Sequence, residues 1–149
     1  MELSLQRFPT YDQRKISICD QIIDQIIYGE NSVAFHFAKG FYYCHEGRIT
    51  ATATGCITLE SCTPDEFTCY LINPCFSQDG AKLVGTPLHL ENLADYLTSE
   101  NRQIEIYLEL YDFNFLHWRG VLKPYNDSGL SDRIIIELAG DFPITYTWE

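Results

Sequence analysis

Six cysteines and four histidines are the residues of this chain that could bind a metal ion or supply a nucleophile. The central cysteines, Cys56, Cys62, Cys69 and Cys75, follow one another at intervals of six, seven and six residues. Structural zinc sites are usually built on closer pairs, because one tight turn then fixes two ligands. The sequence contains no such pair, and we therefore predict no metal site.

A thiol–imidazole pair is the second chemistry to weigh, since Cys44 precedes His45 and follows His36 closely. A catalytic thiol needs a lowered pKa and an oriented base, and neither can be read from these positions. The alternation of residues 33–37 puts His36 on the face opposite to the apolar side chains. A solvent-facing histidine is the simpler interpretation.

Acidic pairs and short motifs give no catalytic pattern either. Glu105 and Glu109 lie on one predicted strand, where positions four apart are too distant to share a proton. The glycines are scattered and form no phosphate-binding loop, and a serine nucleophile elbow is absent. We predict no catalytic residue, no cofactor and no enzymatic activity. An enzyme of unknown reaction stays open as an alternative, because active sites can assemble from distant residues.

Residues 103–112 alternate between apolar and polar side chains without interruption. Successive side chains of a strand point to opposite faces, so the pattern predicts an amphipathic strand. The apolar set, predicted to face the core, comprises Ile104, Ile106, Leu108 and Leu110. The polar set, predicted to form an acidic and tyrosine-rich outer row, comprises Gln103, Glu105, Tyr107, Glu109 and Tyr111.

The next segment, 115–122, alternates as well and places Phe115, His117 and Arg119 on one face. Residues 112–115 are predicted to form the turn of a hairpin, so that the two outer rows lie side by side. Tyr and Arg are enriched in protein interfaces. An ordinary solvated face with a cross-strand pair between Glu109 and Arg119 is the alternative. The candidate binding residues are Glu105, Tyr107, Glu109, Tyr111, His117 and Arg119.

One segment predicts a helix over about 87–98. Thr86 can cap it, and Pro87 is tolerated at a first helical position. Four apolar residues then line one face at helical spacing. They are Leu90, Leu93, Ala94 and Leu97.

Most other segments are short and alternating, and aromatic residues make up 14% of the chain. For residues 21–28 a strand is favoured over a helix, whereas residues 75–86 are predicted to be a loop. Consecutive strands with one late helix predict an α+β, mainly β fold in one domain, residues 1–149. The architecture that we expect is a single antiparallel curled sheet or a partly open barrel.

The formal net charge is −11 and the isoelectric point is about 4.6. Nucleic acids and anionic membrane surfaces attract Lys and Arg, so this balance argues against both as partners. The chain also shows no signal-peptide pattern and no apolar run of membrane-spanning length. We therefore expect a cytoplasmic protein whose six cysteines are reduced and mostly buried.

Small acidic domains without catalytic residues resemble immunity proteins in their general profile, although no residue motif connects this chain to a family. Immunity proteins neutralise basic nuclease toxins through charge complementarity. We expect a protein-binding domain for a basic partner, with Glu105 and Glu109 supplying charge and Tyr107 and Tyr111 supplying buried area. The alternative is a small-molecule-binding β-barrel with aromatic strands around an apolar cavity.

Overall fold

A computed structural model describes residues 1–10, 13–112, 114–124 and 132–149, with the backbone alone at 74–76, 81 and 83. Within these residues there is one α-helix, α1, at Leu90–Thr98, and a 3-10 turn at Pro64–Glu66. The strands are β1 Glu2–Leu5, β2 Ile16–Ser17, β3 Ile22–Ile23, β4 Gln25–Tyr28, β5 Ser32–Phe37, β6 Tyr42–His45, β7 Arg48–Ala51, β8 Gly55–Glu60, β9 Phe67–Ser77, β10 Gly80–Leu88, β11 Gln103–Asp112, β12 Phe115–Lys123, β13 Asp132–Ala139 and β14 Ile144–Trp148.

These strands divide among three sheets, in each of which neighbouring strands are antiparallel. The five-stranded sheet has the order β1-β14-β8-β5-β4, and the six-stranded sheet has the order β10-β9-β13-β12-β11-β3. Strands β2, β6 and β7 form a small third sheet. The prediction of a mainly β, antiparallel protein with one helix is confirmed. The expected single curled sheet or partly open barrel is supported only in part, because the antiparallel strands divide among three sheets. The apolar faces of the two larger sheets are buried against each other.

Aromatic side chains from both large sheets meet in the core. The ring of Phe35 on β5 contacts Trp118 on β12 edge to face, with centroids 5.0 Å apart. Phe35 also contacts Phe67 on β9, at 5.8 Å. The space between the sheets is thus filled by side chains at this level, whereas a ligand-binding barrel would need a cavity there.

The predicted helix is present but begins later than expected. Strand β10 continues through Pro87, opposite Tyr70, to Leu88. Pro87 is tolerated because β10 is an edge strand, which needs fewer backbone donors. The helix begins at Leu90, and His89 is its N-cap residue. The N–H of His89 donates to Asn92 Oδ1 at 3.3 Å. Its buried residues are those predicted, Leu90, Leu93, Ala94 and Leu97.

Residues 21–28, predicted as strand in preference to helix, and residues 75–86, predicted as a loop, both form strands. The preference for strand over residues 21–28 is confirmed, with a break at Asp24 that sends β3 and β4 into different sheets. The predicted loop at 75–86 is wrong, because these residues lie in the β9–β10 hairpin, which turns at residues 78–79. Among the described residues, no helix has the length and apolarity needed to span a membrane.

The cysteines are less buried than the sequence predicts. Cys19, Cys44, Cys56, Cys62 and Cys69 are free thiols. Cys62 and Cys69 are buried, and burial raises the pKa of each thiol to about 12. Cys44 is exposed, and the side chain of Cys75 lies outside the description. The expectation of mostly buried thiols therefore holds for only two of the five.

Candidate functional site

A β-bulge at Tyr107 interrupts the pairing of β11 with β12. Ile106 is opposite Gly120 and Leu108 is opposite Arg119, which leaves Tyr107 as the extra residue. An extra residue in a strand reverses the faces of all the residues that follow it. The alternation in the sequence therefore predicts the correct faces before Tyr107 and the opposite faces after it.

The chain segment before β3 holds this bulge in place. The N–H of Ile106 donates to the carbonyl of Gln21 at 2.9 Å, and the N–H of Asp20 donates to the carbonyl of Ile106 at 2.7 Å. The thiol of Cys19 lies 3.3 Å from the carbonyl oxygen of Tyr107, to which it donates. Backbone groups that would otherwise lose their ladder partners are thus satisfied by residues 19–21.

Glu109 faces the core, and its predicted place in the outer row is wrong. Its side chain is 2% exposed and lies opposite Trp118. One carboxylate oxygen accepts the N–H of Ile18 at 2.9 Å, and the other lies 2.7 Å from Arg14 Nη1. Burial raises the pKa of Glu109, while the Ile18 N–H and the Arg14 charge act in the opposite direction.

Tyr111 was predicted to face outward and instead lies opposite Leu116 on the inner side. Its hydroxyl accepts the indole N–H of Trp118 at 3.2 Å. Burial raises the pKa of Tyr111 well above its ordinary value. Leu110, predicted to face the core, is 53% exposed. Both side chains are thus displaced to the opposite face by the same extra residue.

The outer side of the six-stranded sheet, here called the open face, includes three cross-strand rows. Opposite positions in neighbouring strands share a face, so the ladder register defines each row. The rows are Leu108–Arg119–Ile135–Tyr70, Leu110–His117–Glu137–Thr68 and Glu105–Val121–Arg133–Ile72. Tyr107, in the bulge between Ile106 and Leu108, is 40% exposed.

The charged groups of the open face are largely paired with one another. Lys123 donates to the carboxylate of Glu105. Arg119 Nε donates to His117 Nε2 at 2.9 Å, and His117 Nδ1 lies 3.6 Å from a carboxylate oxygen of Glu137. The predicted pair between Glu109 and Arg119 does not form, because these residues lie on opposite faces. The open face therefore combines exposed apolar side chains with charged groups that are largely paired with one another.

The structure brings together four of the six predicted binding residues. Glu105, Tyr107, His117 and Arg119 are on or beside the open face, whereas Glu109 and Tyr111 are beneath it. Leu108 and Leu110 take their places, and the sequence pattern missed both because an extra strand residue leaves no mark in an alternating sequence. No cluster of three or more metal-binding side chains occurs in the described part of the chain.

Comparison of the chain with known protein families, with curated proteins and with solved structures found no match.

Proposed function

We propose that this protein is a protein-binding domain that engages a basic partner through the open face. The observation that carries the proposal is the exposure of Leu110 and Tyr107, at 53% and 40%, beside Leu108. A solvated sheet face usually alternates polar residues outward. Large apolar side chains grouped on such a face are typical of contact surfaces.

The low cost of covering the paired charges supports this use of the face. Glu105 is paired with Lys123, and His117 bridges the opposite charges of Arg119 and Glu137. A partner that covers them strips water from neutralised groups, which costs less than burying isolated charges. The apolar centre then supplies the binding energy, in the way that central anchors do at protein interfaces.

The basic character of the partner is inferred from the charge of the whole molecule. With a net charge of −11, the protein attracts a cationic partner over distances much longer than a contact. The open face itself carries no acidic row, contrary to the expectation for Glu105 and Glu109. In the proposed mechanism, the overall field accelerates the encounter and the apolar residues slow the dissociation.

The partner class that fits this combination is a basic toxin or nuclease, which the domain would inhibit in the manner of an immunity protein. We place this encounter in the cytoplasm, where glutathione keeps thiols such as the exposed Cys44 reduced. The competing proposal of an interior small-molecule site receives less support, because aromatic side chains fill the space between the sheets.

Affinity capture from a lysate of the host cell tests the proposal. Three baits are compared: the wild type, the double variant Tyr107→Ala/Leu110→Ala, and Ile49→Ala. Ile49 is 74% exposed on the small third sheet, so it controls for loss of any exposed apolar side chain. We expect one basic protein on the wild type and on Ile49→Ala, with at least a tenfold loss on the double variant. Equal capture by all three baits contradicts the proposal.

A further inference from the structure

Asp24, His36 and Cys56 are grouped on the outer side of the five-stranded sheet, where Gln25, and not Asp24, is the register partner of His36. His36 on β5 is directly opposite Cys56 on β8. Asp24 immediately precedes β4, and its N–H donates to the carbonyl of His36 at 3.1 Å. The histidine therefore has the carboxylate on one side and the thiol strand on the other. This surface is on a different sheet from the open face.

The carboxylate of Asp24 holds the imidazole in a defined orientation. His36 Nδ1 lies 2.9 Å from Asp24 Oδ1 and 3.1 Å from Oδ2. Asp24 Oδ1 also accepts the N–H of Ala38 at 2.8 Å, which fixes the carboxylate itself. Because an ionised carboxylate can only accept, Nδ1 carries the proton in a neutral imidazole. The other ring nitrogen, Nε2, is then the basic one.

Cys56 is the residue directly opposite His36 on the neighbouring strand. Side chains at opposite positions of an antiparallel pair have Cβ atoms about 5 Å apart. The thiol of Cys56 is turned along its own strand, with Sγ 3.9 Å from Thr58 Oγ1. Within the described residues the thiol has no hydrogen bond to His36, so a change of rotamer would have to bring Sγ towards the imidazole.

A surface cavity of about 480 Å³ is lined by both His36 and Cys56. This volume is in the range of small-molecule sites. The other titratable side chains in its lining are Glu2 and Glu149, beside the amino group of Met1. Two carboxylates repel an anionic ligand, which favours an uncharged or cationic one.

We propose that Cys56 is a nucleophile that accepts the acyl group of a small ester, with His36 as its general base and Asp24 as a positioning residue. His36 Nε2 takes the thiol proton while the sulfur bonds to the carbonyl carbon. The bond from that carbon to the alcohol oxygen then breaks, and His36 returns the proton to the leaving alcohol. Water, deprotonated by His36, hydrolyses the resulting thioester and restores the thiol.

Burial raises the pKa of Cys56, with a smaller opposing effect from Thr58. The thiol is therefore protonated at neutral pH, and attack requires a base that removes the proton in the same step. This is the task for which the Asp24–His36 pair is arranged, by the logic of an acid–base–nucleophile triad.

Acetylation of Cys56 by p-nitrophenyl acetate tests the proposal, with peptide mass spectrometry reporting the adduct at each cysteine. Exposed Cys44 is the internal control, because its reaction should depend on exposure and on its own ionisation. We expect the rate of Cys56 acetylation to reach its plateau well below the pH at which this partly buried thiol ionises. His36→Asn should lower that rate by about 100-fold or more and leave Cys44 unchanged.

Asp24→Asn separates positioning from folding, because the amide oxygen can still accept the Ala38 N–H. This variant should change the pH profile as well as the rate, whereas a purely structural effect would lower the rate alike at every pH. Thermal unfolding of each variant shows that the fold is kept. The proposal is overturned if Cys56 is acetylated equally fast in the wild type and in His36→Asn. It is also overturned if only Cys44 reacts, or if the Cys56 rate follows the ionisation of the thiol alone.

Discussion

Arg14 Nη1 lies 2.7 Å from Glu109 Oε1, and this ion pair attaches the N-terminal segment to the inner side of the six-stranded sheet. The contact joins residues far apart in the chain, as does the hydrogen bond from the Ile18 N–H to the same carboxylate. A carboxylate placed this way is a structural anchor. It also explains why Glu109 is unable to serve as a surface charge.

Glu105 and Glu109 form a matched pair of residues of the same type on the same strand. We expect Glu109→Ala to lower the free energy of unfolding by about 1–3 kcal/mol, because it removes the acceptor of a buried N–H and the partner of Arg14. Glu105→Ala should cost less than about 1 kcal/mol, since its pair with Lys123 is partly exposed. Urea denaturation of both variants measures the difference. Equal losses of unfolding free energy in the two variants would contradict the placement of Glu105 and Glu109 on opposite faces of the strand.

Glu109 should also make stability depend on pH. Burial raises the pKa of Glu109 in the folded state above its unfolded value of about 4.3, so the protonated side chain favours folding. This stabilisation is complete below about pH 4.3 and is lost as the pH rises through the raised pKa. The wild type should therefore gain stability relative to Glu109→Gln as the pH falls from 7 to the unfolded value of about 4.3. Paired urea titrations at the two pH values check this. If the wild type instead loses stability relative to Glu109→Gln on acidification, the pKa of Glu109 is set by Arg14 and the Ile18 N–H, which lower it, and not by burial, which raises it.

The reversal of faces at Tyr107 predicts opposite outcomes for two apolar residues of β11. Ile106→Ala should cost about 2–5 kcal/mol, since Ile106 is fully buried. Leu110→Ala should change the free energy of unfolding by only about 0.5 kcal/mol, because its side chain is mostly in water. Denaturation midpoints of the two variants provide the test. If Leu110→Ala is as unstable as Ile106→Ala, then Leu110 is buried, as it would be in a strand without the bulge at Tyr107.

How much of this could be predicted from the sequence depends on whether the determining contacts are local. The helix stripe from Leu90 to Leu97 and the alternation of residues 33–37 are local patterns, and both were predicted. The bulge depends on the thiol of Cys19 and on backbone groups of Asp20 and Gln21, and the burial of Glu109 depends on Ile18 and Arg14. An alternating pattern contains no information on partners so distant, and one extra residue therefore inverted the predicted outer row.

The grouping of Asp24, His36 and Cys56 shows the same dependence on long-range pairing. Alternation predicted the outward face of His36, but its neighbours are set by the order β4-β5-β8 in the sheet. Sequence proximity instead suggested Cys44 as the thiol partner of His36. In the structure, Cys44 is on β6, in the small third sheet, and is opposite Ile49.

Dissociation kinetics of the captured basic partner test the central claim most directly. Rates are measured for the wild type, Leu110→Ala and the control Ile49→Ala, at low and at high NaCl concentration. The account predicts that Leu110→Ala dissociates about tenfold faster with an unchanged association rate, while high salt slows association for all three proteins. If Leu110→Ala dissociates from the partner as slowly as the wild type does, the open face is not the binding surface. An association rate independent of salt would contradict the attraction of a basic partner.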